Sequence, residues 1–166
     1  IDMNQLVSCG NYPPAELPQR AFATANEYFT ALAETRIIHL RTQRNDAVTD
    51  EADCRNKYVA RHLFLRIARN FSTTCNRCPF PLYCDDLRPS NVLVDSDLNI
   101  RSVIDWEYCY AAPVEMTYCS PWWLLLRHPD DWKDGDLSRF LIQYLPRQQI
   151  FLQVLQAEEN EMIQQG

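Results

Sequence analysis

Three oxygen-bearing side chains carry the clearest chemical signal in this chain. Asp86, Asn91 and Asp105 stand at the two ends of a segment whose pattern predicts a β-hairpin. Val92-Leu93-Val94 and Ile100 to Ile104 are β-rich runs, and Asp95-Ser-Asp97 between them has turn composition. A hairpin folds back on itself, so Asn91 at its entry and Asp105 at its exit come close together. Asp86 precedes Asn91 across a turn fixed by Pro89. A carboxylate that holds a hydroxyl and takes its proton, together with an amide oxygen and a second carboxylate that hold a hard cation, is the set needed for phosphoryl transfer from a magnesium nucleotide. Taken one at a time, the same residues are ordinary turn formers; it is their joint arrangement that points to chemistry.

The elements that position these residues follow from periodicity. Thr24-Ala-Asn-Glu27 has the pattern of a helix-opening capping box, and a helix is expected from there to about Leu40, with Tyr28, Phe29 and Leu32 on one face. Asp50 is placed to cap a second helix over about 51–71, in which Ala60, Leu63, Phe64, Ile67, Ala68 and Phe71 form one apolar stripe expected to be buried. Residues 1–20 read as an irregular lead-in, 41–49 as a loop, and Phe80 to Cys84 as a short extended run. A short helix is expected over Trp122 to Arg127, stopped by His128-Pro129. Asp136 is placed to cap a helix ending before Pro146, with a last helix over about 147–163 that turns Ile150, Phe151, Val154, Leu155 and Met162 inward. Helices, then a hairpin, then helices make an α+β chain rather than a doubly wound sheet.

Composition narrows the function. The chain of 166 residues is 46% apolar and 23% charged, enough for a single domain with a core; the expected domain is 1–166. Only 3 glycines occur, none near another, so there is no glycine-rich phosphate loop. The only lysines are Lys57 and Lys133. The net charge of −6 is uneven: residues 84–166 hold 14 acidic and 6 basic residues, whereas residues 1–83 hold 8 and 10. That distribution argues against nucleic acid as a partner and suits a metal ion or a cationic small molecule. The densest apolar stretch is far short of a membrane span.

The motifs resemble those of a known family. Asp86-Leu-Arg-Pro-Ser-Asn91 looks like the catalytic loop of the protein-kinase-like superfamily, and Val103-Ile-Asp-Trp-Glu107 resembles the metal-binding motif of its aminoglycoside phosphotransferase and choline kinase branch. The stretch Leu82 to Asp95, followed by Asp105, Ala111-Ala-Pro113 and Pro121-Trp-Trp-Leu124, is similar to a fungal group of aminoglycoside phosphotransferases. The resemblance covers about 80–126. It implies the mainly helical C-terminal lobe of a kinase-like fold, ATP and Mg2+ as cofactors, and transfer of the γ-phosphoryl group to a hydroxyl of a small, possibly cationic molecule. It implies Asp86 as catalytic base and Asn91 and Asp105 as magnesium ligands. Arg88 stands where protein kinases have a phosphate-contacting lysine; it would pair either with the nucleotide's terminal phosphate or with Asp85 or Glu107. Glu107 is either an acid supporting the metal site or a surface residue.

The chain departs from the family pattern in two places. The usual His-Gly before the catalytic Asp is Cys84-Asp85 here, and neither lysine can take the place of the one that grips the α- and β-phosphates in the family's N-terminal lobe. The chain starts at Ile1 rather than Met and reads either as a truncated fragment or as a true short protein; the 166 residues alone are expected to be weakly active or inactive. The alternative is a non-catalytic, pseudokinase-like or remnant binding domain. The seven cysteines are expected to be reduced in a cytoplasmic protein, with no disulfide and no zinc at Cys75-Asn-Arg-Cys78. His39, His62 and His128 are expected to be structural or surface residues. The sequence does not report oligomeric state.

Overall fold

The computed structural model describes residues 3–43, 48–126 and 137–165. The helices are α1 (Met3–Ser8), α2 (Ala25–Thr42), α3 (Glu51–Ala68), α4 (Val114–Thr117) and α5 (Leu137–Gln165). The strands are β1 (Leu82–Cys84), β2 (Val92–Val94), β3 (Ile100–Val103) and β4 (Cys109–Ala111), forming two two-stranded sheets, β1 with β4 and β2 with β3. The chain divides into two compact units: residues 1–83 with 108–117, and residues 84–107 with 118–166.

The first unit is built on α2 and α3. Thr24 Oγ1 accepts from the Glu27 N–H at 3.2 Å, as the capping pattern predicts, while Glu27 Oε2 accepts from the Ala23 N–H, one residue earlier than the box requires. Asp50 caps α3 by accepting from the Asp53 N–H at 2.8 Å. The core is small: Ala25, Phe29, Ala33 and Ala68 are buried, with Tyr28, Leu32, Phe64, Leu65 and Met116 packed against them. Three of the four buried residues are alanines, which lets α2 and α3 approach closely but buries little area per residue. Phe29 is the large member and meets Phe71 edge-on at 4.7 Å between centroids.

The expected buried stripe of α3 is corrected here. Ala68 is buried and Phe64 partly so, but Ala60, Leu63, Ile67 and Phe71 are exposed. The helix meets α2 along Phe64, Leu65 and Ala68, and Arg61 donates to the Arg36 carbonyl on that side. The contact face is therefore rotated away from the centre of the apolar stripe, toward a polar tie that periodicity does not register.

The lead-in is also more ordered than its composition suggested. It contains α1 and a single 3-10 turn at Pro14–Glu16, and Tyr12 beyond α1 is only 1% exposed. Burial pushes the Tyr12 phenol above its usual pKa, with a hydrogen bond to Thr35 opposing the shift. Strand β4, unforeseen from sequence, pairs with β1, and its Tyr110 ring stacks on Tyr28 at 6.5 Å and meets Tyr83 edge-on at 5.8 Å.

In the second unit the hairpin forms as expected. β2 and β3 are antiparallel, with Val92 opposite Val103 and Leu93 opposite Ser102, and a register irregularity follows at Val94. Trp122–Leu125 is a 3-10 turn rather than an α-helix, ended by Leu126 in the left-handed conformation. α5 corrects a second expectation: one helix runs through Pro146 without a break. Proline removes the N–H that would bond the Ile142 carbonyl and crowds that turn. The Arg147 side chain donates to the neighbouring Gln143 carbonyl at 3.1 Å. Tyr144 and Gln148, on either side of the proline, tie the helix to Ser120 and Pro121. The apolar residues expected to face inward are not buried: Ile150, Val154, Leu155 and Met162 are exposed and Phe151 is intermediate. The expected stop at His128-Pro129, the Asp136 cap and Lys133 lie outside the described residues. No described helix is long and apolar enough to cross a membrane.

Candidate active site

Asp86, Arg88, Asn91 and Asp105 all belong to the second unit, in the turn before β2 and just after β3. Asn91 closes a single 3-10 turn, Pro89–Asn91, whose opening proline presets the backbone. It is 6% exposed, and its amide faces back along the loop. Asn91 Nδ2 donates to the Asp86 carbonyl at 2.8 Å and to Asp86 Oδ2 at 3.1 Å. One buried side chain thus pins both the backbone and the carboxylate of Asp86. The amide nitrogen is engaged by Asp86, and Oδ1 is left as the acceptor end, contacted by the Ser90 hydroxyl at 3.4 Å. The amide orientation follows from this network.

The hairpin brings Asp105 to the same end. The Ile104 N–H donates to the Asn91 carbonyl at 2.9 Å, one step beyond the Val92–Val103 pair. Asp105 is the next residue and holds φ at 64°, a left-handed conformation that ends the strand and that Asp tolerates better than most residues. Its side chain is exposed. Trp106 Nε1 donates to the Val103 carbonyl at 2.8 Å, bracing the turn from the other side.

Arg88 pairs with Asp86, a partner not named by the sequence. Its Nε lies 3.2 Å from Asp86 Oδ1, so the two oxygens of Asp86 are divided between Arg88 and Asn91. The Asp86 side chain retains 23% exposure and Arg88 44%, so this is a pair open to solvent on one side. Glu107 is exposed.

At the far end of the hairpin, Asp95 performs turn chemistry. Its Oδ1 accepts from the N–H groups of Asp97 and Asn99, both at 2.9 Å, and its Oδ2 lies 2.7 Å from Arg101 Nη2. These contacts, led by the Asn99 N–H, hold the Asp95 carboxyl below its usual pKa. The residues at the other end differ in kind: they are not needed to form the turn tip, and the Asn91 amide and the Asp86 carboxylate meet there.

The donor set suits a hard cation. Among the described residues, no three or more His, Cys, Asp or Glu side chains gather to hold an ion. The oxygens at this end of the hairpin are instead the Asn91 amide Oδ1 and the exposed carboxylate of Asp105, types suited to magnesium, which keeps waters and substrate phosphates in its shell and takes few protein ligands.

The cysteine expectation is corrected in the first unit. Cys75 and Cys78 form a disulfide, while Cys9, Cys54, Cys84, Cys109 and Cys119 are free. The Cys78 N–H donates to the Cys75 carbonyl at 3.0 Å, which folds the four residues into a turn and brings their Cα atoms to 4.9 Å, within bridging range. Sequence spacing alone could not show that this loop turns. Of the histidines, His39 is partly buried in the first unit and its Nδ1 has no hydrogen-bond partner. Lys57 is paired with Asp53 on α3 at 2.7 Å.

Compared with models of protein families, with curated proteins and with solved structures, the chain has no match.

Proposed function

We propose that the chain is a small-molecule phosphotransferase of the aminoglycoside phosphotransferase type, using ATP and Mg2+ to phosphorylate a hydroxyl. The observation that supports this most is the buried Asn91, whose amide nitrogen holds Asp86 while its backbone carbonyl is tied to the residue before Asp105. In this reading Asp86 accepts the hydroxyl proton of the substrate, and its hold by Asn91 orients the carboxylate. Asn91 Oδ1 and the Asp105 carboxylate hold Mg2+, which supplies positive charge to the phosphates of the nucleotide. Arg88, now paired with Asp86 Oδ1, would pair with the terminal phosphate of a bound nucleotide, leaving Asp86 Oδ1 for the hydroxyl. The acidic half of the chain suits a cationic amino alcohol or aminoglycoside. We place the protein in the cytoplasm, where ATP is available.

A second reading has its own support. Both oxygens of Asp86 are engaged within the loop, which suits a non-catalytic, pseudokinase-like domain that retains the loop as a structural brace. Lys57 is paired with Asp53 on α3, and turnover by the 166-residue chain is expected to be very slow.

ATP turnover measured over a panel of amino alcohols and aminoglycosides tests the proposal. The expected outcome is slow, magnesium-dependent transfer that Asp86→Asn abolishes with nucleotide binding retained, whereas Asp105→Asn weakens binding of the magnesium nucleotide itself. Nucleotide binding without transfer across the panel supports the second reading; no binding of magnesium nucleotide overturns the first.

A further inference from the structure

We infer that the Cys75–Cys78 disulfide is an exchangeable modification site for a dithiol or low-molecular-weight thiol, and that its redox state sets how firmly the first turn of α2 is held. The inference starts from Asn76, which lies inside the four-residue disulfide ring. Its carbonyl accepts from the Ala25 N–H at 2.9 Å and its Oδ1 accepts from the Asn26 N–H at 2.9 Å. Thr24 satisfies the next N–H, that of Glu27. Of the first three N–H groups of α2, which have no partner within the helix, Asn76 therefore satisfies two, from about fifty residues away in sequence.

The tie is reciprocal. Asn26 Nδ2 donates to the Ser72 carbonyl at 3.2 Å, and Asn26 Oδ1 accepts from the Ser72 N–H at 2.8 Å. The loop leading into the disulfide and the first turn of α2 hold each other through four hydrogen bonds from two asparagines. Closing the ring confines the backbone of Asn76, so the disulfide restricts the residue that completes the cap.

The geometry admits both redox states. The Cys75–Cys78 turn is also closed by its own backbone hydrogen bond at 3.0 Å, so the turn does not depend on the sulfur bridge alone. Both cysteines are partly exposed, and Thr73, Thr74 and Arg77 beside them are exposed, so a small reductant has access. A thiolate of the reductant attacks one sulfur of the pair, breaking the Cys75–Cys78 bond. This forms a mixed disulfide and releases the other cysteine as a thiolate, which takes a proton from water. The second thiol of the reductant then displaces the first cysteine. Two electrons have passed to the protein, which holds two thiols, and the reductant leaves as its own disulfide. In the cytoplasm, where the proposed function places the chain, a disulfide of this partly exposed, short-ring kind fits redox sensing better than permanent bracing.

The test uses the whole chain, equilibrated with either reduced dithiothreitol or oxidised glutathione. Alkylation and digestion without reductant should find Cys75 and Cys78 joined in the oxidised sample and both alkylated in the reduced one. Hydrogen exchange at the amides of Ala25 and Asn26 should be about tenfold faster in the reduced sample, from the lost restriction on Asn76. Cys78→Ser should show the fast rate under both conditions. Asn76→Ala should also show it under both, while still forming the disulfide. Equal exchange at Ala25 and Asn26 in the two redox states of the wild type overturns the inference, as does finding both thiols alkylated in the oxidised sample. The wild-type comparison decides the matter even where a variant does not fold.

Discussion

The α2–α3 pair and the hairpin loop are held together by different forces. In the first, Phe29, Ala25, Ala33 and Ala68 are buried against one another, and apolar contact supplies the stabilisation. In the second, the strands β2 and β3 carry Leu93, Val94 and Ile100 in exposed positions, and the shape is set by polar contacts of Asn91, Asp95 and Trp106 with backbone groups. Removing an apolar side chain from the first region leaves a void whose cost scales with the atoms lost. Removing a polar one from the second leaves a backbone group without its partner, a cost set by hydrogen bonding rather than by volume. The lesson is that a site can be precisely shaped with almost no core of its own.

The largest expected effect is Phe29→Ala, which empties the one large buried position of the α2–α3 core. A loss of about 3–4 kcal/mol is expected in urea unfolding followed by far-ultraviolet circular dichroism. The tryptophans among the described residues, Trp106, Trp122 and Trp123, lie in the second unit, so their fluorescence reports that unit. A loss under 1 kcal/mol would mean that the core does not carry this unit.

Asn91→Ala comes next. It removes the two hydrogen bonds to Asp86 and should cost about 1–3 kcal/mol, read by tryptophan fluorescence. Asn91→Asp should be no better, because it sets a second carboxylate against Asp86. If Asn91→Ala unfolds with an unchanged midpoint, the contrast drawn between the two regions fails.

Asp105 separates backbone from chemistry. Asp105→Val forces a β-branched residue into a left-handed conformation and should cost about 1–2 kcal/mol. Asp105→Gly accepts that conformation and should stay within about 1 kcal/mol of wild type, while losing the carboxylate. Thermal melts of the two variants check the order; equal melting temperatures would show that the backbone there is not a constraint.

The smallest effect concerns pH. Burial, followed by the charges of Arg61 and Arg36, holds His39 below its usual pKa. The unfolded chain therefore binds the proton first. Stability of the first unit should be full above about pH 6.5 and should fall as pH drops from there toward the lowered pKa of the folded state. Urea midpoints between neutral and mildly acidic pH should show this slope, and His39→Gln should flatten it. An unchanged slope in the variant would assign the pH dependence to other groups.

Local chemistry was legible in the sequence wherever neighbours along the chain decide it. Thr24 and Asp50 cap the helices they were expected to cap, and the hairpin turns at Asp95-Ser-Asp97, because a cap or turn is closed by groups a few residues apart. Asn91 and the segment before Asp105 meet because a hairpin brings its two ends together. What depends on distant partners was not legible. The face α3 buries was set by α2 and by the reach of Arg61, and the apolar stripe alone pointed elsewhere. Pro146 sits inside one helix because Tyr144 and Gln148 anchor that helix to Ser120 and Pro121. Arg88 pairs with Asp86, which the sequence had not singled out as its partner. Cys75 and Cys78 were joined by a turn that packs against the start of a helix fifty residues earlier. Residue types and short spacings determine which hydrogen bonds can form locally; only packing decides which face is covered and which of several competing partners is chosen.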